Sequence, residues 1–231
     1  MVPRASAYDL VCEIHGIGDL MDKKKIALAA MDGLEKLYPD AKCSLTYDEP
    51  YRLMIAVRLS AQCTDARVNL VTPVLFEKYP TLDSLAEADV NDVADIIRSC
   101  GLVNTKANNI VGICRRLRDV YGGVLPDTME ELLTFPGVGR KTANLILGDV
   151  YGKPAVVADT HCIRISGRLG LTGSKDPAVV ENDLRKILDL SRSSDFCHRL
   201  VMFGREYCSA RSPKCAECPL RPFPDGFECI L

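Results

Sequence analysis

The 231-residue sequence lacks the features that mark several large classes of protein. No apolar run is long enough to span a bilayer, and the chain does not open with a basic segment followed by an apolar one. The formal net charge of −2 argues against binding polyanions through a generally basic surface, but it is compatible with a local basic patch. We therefore expect a soluble intracellular protein without membrane contact.

Strand patterns are nearly missing as well. Strand character is confined to residues 154–159, a fragment too short to form a sheet. Apolar residues recur instead at helical spacing, for example over 23–37 and over 105–121, where Gly122 and Gly123 end the element. The sequence therefore predicts an all-α fold.

Proline and its preceding residue mark several helix starts. Pro50 opens an apolar segment that we expect to form a core helix. Thr72 and Pro73 predict an N-cap followed by the first helical residue, and Asp176 with Pro177 predicts the same farther along.

Positive charge is not spread evenly along the chain. It is concentrated in four short runs, at 114–119, 139–141, 162–168 and 209–214. Taken singly, each run is typical of a solvated helix face rather than of a binding surface.

Cysteine is abundant, with eleven residues. The odd number and the missing secretion signal argue against a disulfide framework. Seven cysteines have apolar neighbours and are predicted to be small buried hydrophobes: Cys12, Cys43, Cys63, Cys100, Cys114, Cys162 and Cys197. The other four are crowded near the end of the chain: Cys208, Cys215, Cys218 and Cys229.

A glycine-containing turn joins two predicted helices, over 127–133 and 140–151. Glycine lets backbone amides approach an oxyanion, and a helix start is partly positive, so the turn can hold a phosphate. A P-loop is excluded because the order Gly-Lys-Ser/Thr does not occur. On spacing alone, an ordinary helical hairpin is the better interpretation. The residues that would contact the anion are Gly137, Val138, Gly139 and Arg140.

The surrounding motifs favour the anion-binding interpretation. The string "FPGVGRKTAN" followed by "VADTHCIR" resembles the helix–hairpin–helix and following loop of DNA glycosylases related to endonuclease III. The resemblance runs from about Lys24 to Cys218 and includes "AVRLSAQCTDARVN", "IRSCGLVNTKANNI" and "HRLVMFGREYC". It implies a base-excision-repair enzyme that removes oxidised pyrimidines from double-stranded DNA and then cleaves the strand at the abasic site.

The resemblance assigns the chemistry to two residues. Lys141 matches the family's catalytic lysine, an amine that can attack the sugar C1′ and then form a Schiff base. The helix start, the neighbouring Arg140 and partial desolvation are all expected to favour its uncharged form. Asp159 matches the family's essential aspartate, although it is also placed to cap the helix that follows, and we expect both roles.

A base inside a duplex is unreachable, so the enzyme must flip it out and fill the space. By resemblance, Gln62 enters the vacated space and Leu102 wedges into the base stack. The alternatives are a surface glutamine and a core leucine.

The C-terminal cysteines resemble the ligands of the family's 4Fe-4S cluster. Cys208, Cys215 and Cys218 match the first three ligands, but the expected fourth position is Pro224. Cys229 is the available substitute after a longer gap. Four thiolates can hold a cubane cluster. Zinc is the competing interpretation, although four-cysteine zinc sites usually show two close pairs.

The resemblance also predicts the organisation of the chain. An internal lobe of six helices covers 43–153, with the helix–hairpin–helix near 126–151, and DNA is expected between it and a second lobe. The second lobe joins 23–42 to 154–231 and carries the cysteines, while residues 1–22 receive no function. We expect a monomeric, cytoplasmic, nucleoid-associated protein of prokaryotic type. The alternatives are a non-catalytic DNA-binding module and a mismatch-specific relative.

Overall fold

The computed structural model describes residues 7–224 and 228–229, with side chains from residue 20 onward, so Cys12 lies outside the described side chains. Every regular element in this part of the chain is helical, which confirms the all-α prediction. The α-helices are α1 Ala7–Leu37, α2 Pro50–Ser60, α3 Asp65–Lys78, α4 Leu82–Ala86, α5 Val90–Ile96, α6 Val103–Tyr121, α7 Met129–Leu132, α8 Arg140–Asp149, α9 Thr160–Arg168, α10 Pro177–Ile187 and α11 Ser193–Glu206. Three 3-10 helices cover Arg98–Cys100, Leu190–Arg192 and Cys215–Glu217.

The chain divides into two compact units. The internal unit spans Cys43–Ala155, and the terminal unit combines the chain up to Lys42 with the chain from Val156 onward. The internal unit contains α2 to α8, one helix more than the sequence predicts. The short helices α4 and α5 have too few turns to produce a recognisable apolar stripe.

Helix α1 belongs to the terminal unit and packs against α10 and α11. It begins at Ala7 rather than near Lys23, so it extends into the part of the sequence with weak periodicity. Its buried stripe has helical spacing: Ile26, Ala27, Ala30, Met31 and Leu34. Burial of this stripe ties the two separated parts of the terminal unit together.

Polar contacts reinforce the packing of α1. The buried Arg199 side chain of α11 donates from Nε to the carbonyl of Tyr38 (3.2 Å) and pairs with Glu35 (3.7 Å). The Tyr38 hydroxyl donates to Glu206 at 2.8 Å. The contacts with Tyr38 and Glu35 give the buried Arg199 guanidinium partners, without which its burial would be costly.

Helix α3 differs from the prediction. It begins at Asp65, and Thr64 is its N-cap, accepting a hydrogen bond at Oγ1 from the amide of Arg67 (3.3 Å). Pro73 lies inside the helix, so the predicted start at Thr72 and Pro73 is wrong. The Thr72 hydroxyl donates to the carbonyl of Val68 (3.2 Å), and the Pro73 side chain is exposed. Local cap chemistry at Thr64 outweighs the proline signal.

The scattered cysteines follow the prediction in part. Cys100, Cys114, Cys162 and Cys197 are buried, as small hydrophobic residues should be. Cys43 and Cys63 are only partly buried, so the prediction of small buried hydrophobes is wrong for these two residues.

Candidate functional site

The hairpin that contains Lys141 is built by α7 and α8 in the internal unit. Helix α7 begins two residues later than predicted, because Thr128 is the N-cap and its Oγ1 accepts from the amide of Glu131 (3.3 Å). Helix α8 begins at Arg140 as predicted. The turn between them contains Gly137 at φ +72°, a conformation that glycine adopts without strain.

Gly137 packs against a polar pair from two other helices. The amide oxygen of Asn109 accepts hydrogen bonds from Nε (2.8 Å) and Nη2 (3.0 Å) of Arg58, in the orientation that satisfies both side chains. A Cβ at position 137 would lie 2.1 Å from the Asn109 amide and 2.7 Å from Arg58 Nε. The absence of a side chain at Gly137 is therefore required by this pair as well as by the turn.

Aromatic packing supports the other side of the turn. Phe135 is buried and stacks on Tyr121 with ring centroids 5.2 Å apart. The Arg116 guanidinium lies 5.7 Å from the centre of the Phe135 ring and donates from Nε to the Thr134 hydroxyl (3.0 Å). Helix α6 thus supplies Asn109, Arg116 and Tyr121 to the hairpin and determines its position within the unit.

The start of α8 combines a bare N-cap with a lysine. Gly139 is the N-cap and supplies no side-chain hydrogen bond to the first turn. Val138 is buried, whereas Gly139, Arg140 and Lys141 are exposed. Amides at such a helix start are a suitable site for a phosphate. Lys141 is exposed, so the predicted partial desolvation of its amine is not observed.

Gln62 and Leu102 share an unusual backbone conformation. Their φ values are 56° and 49°, and no other residue except glycine has a positive φ in the described ranges 7–224 and 228–229. Gln62 follows α2, and Leu102 is the N-cap residue of α6. Leu102 is 50% exposed, which rules out the alternative of a core leucine.

Asp159 lies in the terminal unit, at the start of α9. Its Oδ1 accepts a hydrogen bond from the amide of Cys162 at 2.8 Å, so the predicted capping is observed. This bond leaves the second carboxylate oxygen available for chemistry and fixes the orientation of the group. The side chain is half-buried.

The four C-terminal cysteines line one cavity of the terminal unit. Its other lining residues are largely apolar and include Ile165, Leu169, Phe203, Leu220 and Phe223. Within the described residues, no three His, Cys, Asp or Glu side chains converge on a position for a single ion. A tetrahedral zinc site needs four sulfurs about 2.3 Å from one centre. Four thiols on the wall of one largely apolar cavity suit a 4Fe-4S cluster.

Two arginines of α9 hold the segment that begins at Cys208. Arg164 donates from Nε (3.2 Å) and Nη2 (3.1 Å) to the carbonyl of Cys208. Arg168 donates to the sulfur of Cys208 (3.1 Å) and to the carbonyls of Ser209 (2.8 Å) and Ala210 (3.1 Å). The prediction of a solvated basic run over 162–168 is therefore wrong for these two arginines. A positive group at Cys208 Sγ also suits a thiolate that holds iron.

Comparison with known proteins places these features in a family. Residues 55–189 match the profile of the HhH-GPD superfamily of base excision DNA repair proteins. Residues 208–223 match the iron–sulfur binding domain of endonuclease III, a match that includes Cys208, Cys215 and Cys218 and stops before Cys229.

Individual relatives agree with the family profiles. The chain is 46% identical to endonuclease III of Synechocystis over 87% of this chain and 92% of the relative. It is 42% identical to endonuclease III of Bacillus subtilis over 82% of this chain and 87% of the relative. The solved structure of a trapped endonuclease III–DNA covalent intermediate matches with a TM-score of 0.81 and 44% identity, over 85% of this chain and 93% of that one.

The chain therefore belongs to the endonuclease III family within the HhH-GPD superfamily of base excision DNA repair proteins. This membership confirms the predictions of a DNA glycosylase with abasic-site lyase activity, of DNA as its substrate and of a 4Fe-4S cluster as its cofactor. No helix in the described part of the chain is long and apolar enough to cross a bilayer.

The sequence predictions missed the groups that position the candidate residues. Asn109 and Arg58 come from helices far from the hairpin in sequence, so no local pattern pairs them. Arg164 and Arg168 have a weak signal, because they are four residues apart and therefore on one face of α9.

Proposed function

We propose that the chain removes oxidised pyrimidines from double-stranded DNA and that Lys141 is the nucleophile. The observation that carries this proposal is the exposed amine of Lys141 in the first turn of α8, two residues after the N-cap Gly139, which has no side chain to bond the first amides of the helix. A DNA phosphate bound by the hairpin amides would bring a deoxyribose near that amine. The glycines and Arg140 are the proposed contacts to the DNA backbone.

The proposed reaction needs one amine and one carboxylate. The uncharged Nζ of Lys141 attacks C1′ of the damaged nucleotide. The glycosidic bond breaks, and the electron pair of that bond leaves with the base, which takes up a proton. The sugar ring then opens at the C1′–O4′ bond to give a Schiff base. Loss of a proton from C2′ expels the 3′ phosphate, and water finally releases the lysine.

Asp159 is the proposed carboxylate of the same reaction. Its charge stabilises the positive sugar in the transition state, and its uncapped oxygen can accept a proton from the amine. The hydrogen bond to the Cys162 amide keeps the group in one orientation. Gln62 is the proposed partner of the base left unpaired, and Leu102 is the proposed stacking wedge.

Borohydride trapping on a duplex with one thymine glycol or one abasic site tests the nucleophile. We expect the wild type to form a covalent adduct and to nick the strand, and Lys141→Ala to do neither. Lys78→Ala is the matched control, because Lys78 is an exposed lysine of the same unit that pairs with Asp92 (3.1 Å). Equal cross-linking by Lys141→Ala would show that another amine is the nucleophile.

We propose Cys208, Cys215, Cys218 and Cys229 as the ligands of the cluster. Cys229 departs from the spacing of the family's fourth ligand, and its place on the wall of the same cavity supports its inclusion. When bound, the cluster cross-links the four thiolates and thereby fixes the segment from Cys208 to Cys218, whose Arg211 and Lys214 are exposed and available to DNA. We expect Cys229→Ser to lose iron and the broad visible absorption, whereas Cys63→Ser keeps both. Full iron content in Cys229→Ser would remove Cys229 from the ligand set.

We further propose that the protein acts as a monomer in the bacterial cytoplasm, on nucleoid DNA. Its relatives from Synechocystis and Bacillus subtilis support a bacterial setting. Sedimentation of the protein with and without a lesion duplex tests the stoichiometry, with one chain per lesion expected.

A further inference from the structure

We propose that Lys106 is a positioning residue that holds the Gln62 and Leu102 segments in the conformation needed to enter DNA. The proposal rests on the roles given to Gln62 and Leu102 under the proposed function. Lys106 lies in the first turns of α6 and is fully buried, with 0% of its surface exposed.

The ammonium group of Lys106 joins two separate parts of the chain. Its Nζ donates to the carbonyl of Leu59 at 2.8 Å and to the carbonyl of Cys100 at 2.7 Å. Because one atom binds both oxygens, the two backbone segments are held side by side. A lysine is rarely buried completely, so this placement is unusual for its residue type.

Both carbonyls lie at the ends of helices. Leu59 is the penultimate residue of α2, and Cys100 is the last residue of the 3-10 helix Arg98–Cys100. Carbonyls at a helix end lack helical partners and carry partial negative charge, so a cation is the group that suits them. Lys106 thus caps two helices at once.

The segments that leave these two helix ends are the strained ones. Gln62 follows Leu59 by three residues and has φ 56°, while Leu102 follows Cys100 by two residues and has φ 49°. Residues other than glycine seldom adopt this conformation, and those that do need support from their surroundings. Lys106 provides a fixed point immediately before each of them.

Lys106 has no contact with solvent, so its amine does not contribute to the charged surface of the protein. Burial lowers the pKa of its amine, and the nearby Arg58 acts in the same direction, whereas the Cys63 and Cys100 thiols oppose the shift. An aliphatic chain cannot make the two hydrogen bonds that this amine donates. Methionine at this position would fill the space but leave both carbonyls unpaired.

The test compares Lys106→Met with Lys78→Met, an exposed lysine in the same unit. Binding is measured to a duplex with a tetrahydrofuran abasic analogue and to the undamaged duplex, with protein that carries its cluster. We expect Lys106→Met to lose about 10-fold in affinity for the lesion duplex, equal to about 1.4 kcal/mol. Binding to the undamaged duplex, which does not need the two segments to insert, should stay within about twofold. Lys78→Met should match the wild type on both duplexes.

A double-mutant cycle separates positioning from general destabilisation. In a Gln62→Ala/Leu102→Ala background, Lys106→Met should have little further effect on lesion affinity, because the groups that it positions are gone. The same 10-fold loss in that background would overturn the proposal. If Gln62→Ala/Leu102→Ala itself binds the lesion as the wild type does, the error lies in the roles given to those residues instead.

A measurement on the wild type covers the case in which Lys106→Met does not fold. Amide hydrogen exchange should be slow at Cys63 and Cys100, whose amides donate to the carbonyls of Ser60 (3.1 Å) and Ile97 (2.8 Å) within the segments that Lys106 holds. Exchange at both amides as fast as at the exposed Gly173 would show that the two segments are not held, and would overturn the proposal. An intermediate lesion affinity in Lys106→Gln, which keeps one donor group, would support it.

Discussion

Replacement of Gly137 by alanine tests how the hairpin is held in place. The change has two separable effects in this structure. The first is the positive φ of +72°, which costs a residue with a Cβ about 1 kcal/mol. The second is the contact of the new Cβ with the Asn109 amide at 2.1 Å and with Arg58 Nε at 2.7 Å.

The second effect is the larger one. Neither contact can be accommodated without separating Asn109 from Arg58, whose two hydrogen bonds involve a charged donor. Loss of hydrogen bonds to a charged group costs roughly 2 kcal/mol. The total of about 3 kcal/mol corresponds to a fall in melting temperature of about 6–12 °C for a chain of this size.

Gly122→Ala isolates the backbone effect. Gly122 has φ +61°, but a Cβ there would meet nothing within 4 Å. We expect its melting temperature, measured by circular dichroism, to fall by only about 2–4 °C. The reasoning fails if Gly137→Ala and Gly122→Ala destabilise the protein equally, because the clash with the polar pair would then be absent. Asn109→Ala should recover part of the loss in Gly137→Ala by removing the closest contact.

Three further predictions concern other positions. Asp159→Asn should have the melting temperature of the wild type, because asparagine caps a helix as well as aspartate does, but it should not cleave the strand in a gel assay. Asp159→Ala should also fail to cleave the strand, and its unfolding free energy should be about 1 kcal/mol lower. The pKa of Lys106 is lowered in the folded protein, so between that pKa and the ordinary value of 10.5 the unfolded chain binds more protons than the folded one. In this pH window the unfolding free energy of the wild type should therefore rise with pH relative to that of Lys106→Met. Urea unfolding of both proteins at a series of pH values tests this, and a relative fall for the wild type would contradict it. Pro73→Ala should raise the unfolding free energy by about 1 kcal/mol or more, because proline has no amide hydrogen for the helical bond to the residue four positions earlier. An unchanged urea midpoint would mean that α3 already accommodates the proline.

Features set by neighbouring residues could be predicted from the sequence. The start of α8 at Arg140, the capping of α9 by Asp159 and the end of α6 at Gly122 all depend on side chains within a few positions. The start of α3 could not be read correctly, because two local signals compete there. A proline at the first helical position is common, but the Thr64 cap forms earlier and the helix continues through Pro73.

Contacts between distant segments were beyond the sequence patterns. Lys106 binds the carbonyl of Leu59, 47 positions away, and nothing local identifies that partner. The sequence did contain one indication that Lys106 is buried, because Lys106 lies one turn before the buried Ile110 on the apolar face of α6. A lysine on such a face is a candidate for a buried amine. The roles of Lys141 and Asp159 depended on resemblance, because an exposed lysine and a capping aspartate are individually common.

The division of the terminal unit between the two ends of the chain has a consequence for biosynthesis. The internal unit, Cys43–Ala155, leaves the ribosome as one uninterrupted stretch and can collapse while translation continues. Helix α1 is made before the internal unit, but its partners α10 and α11 are made after that unit. The apolar stripe of α1 therefore has no packing partner while the internal unit is being synthesised, and the cysteine cavity can form only after α11 has been made. We expect slowed translation before α10 to prolong the exposure of this stripe and to favour aggregation.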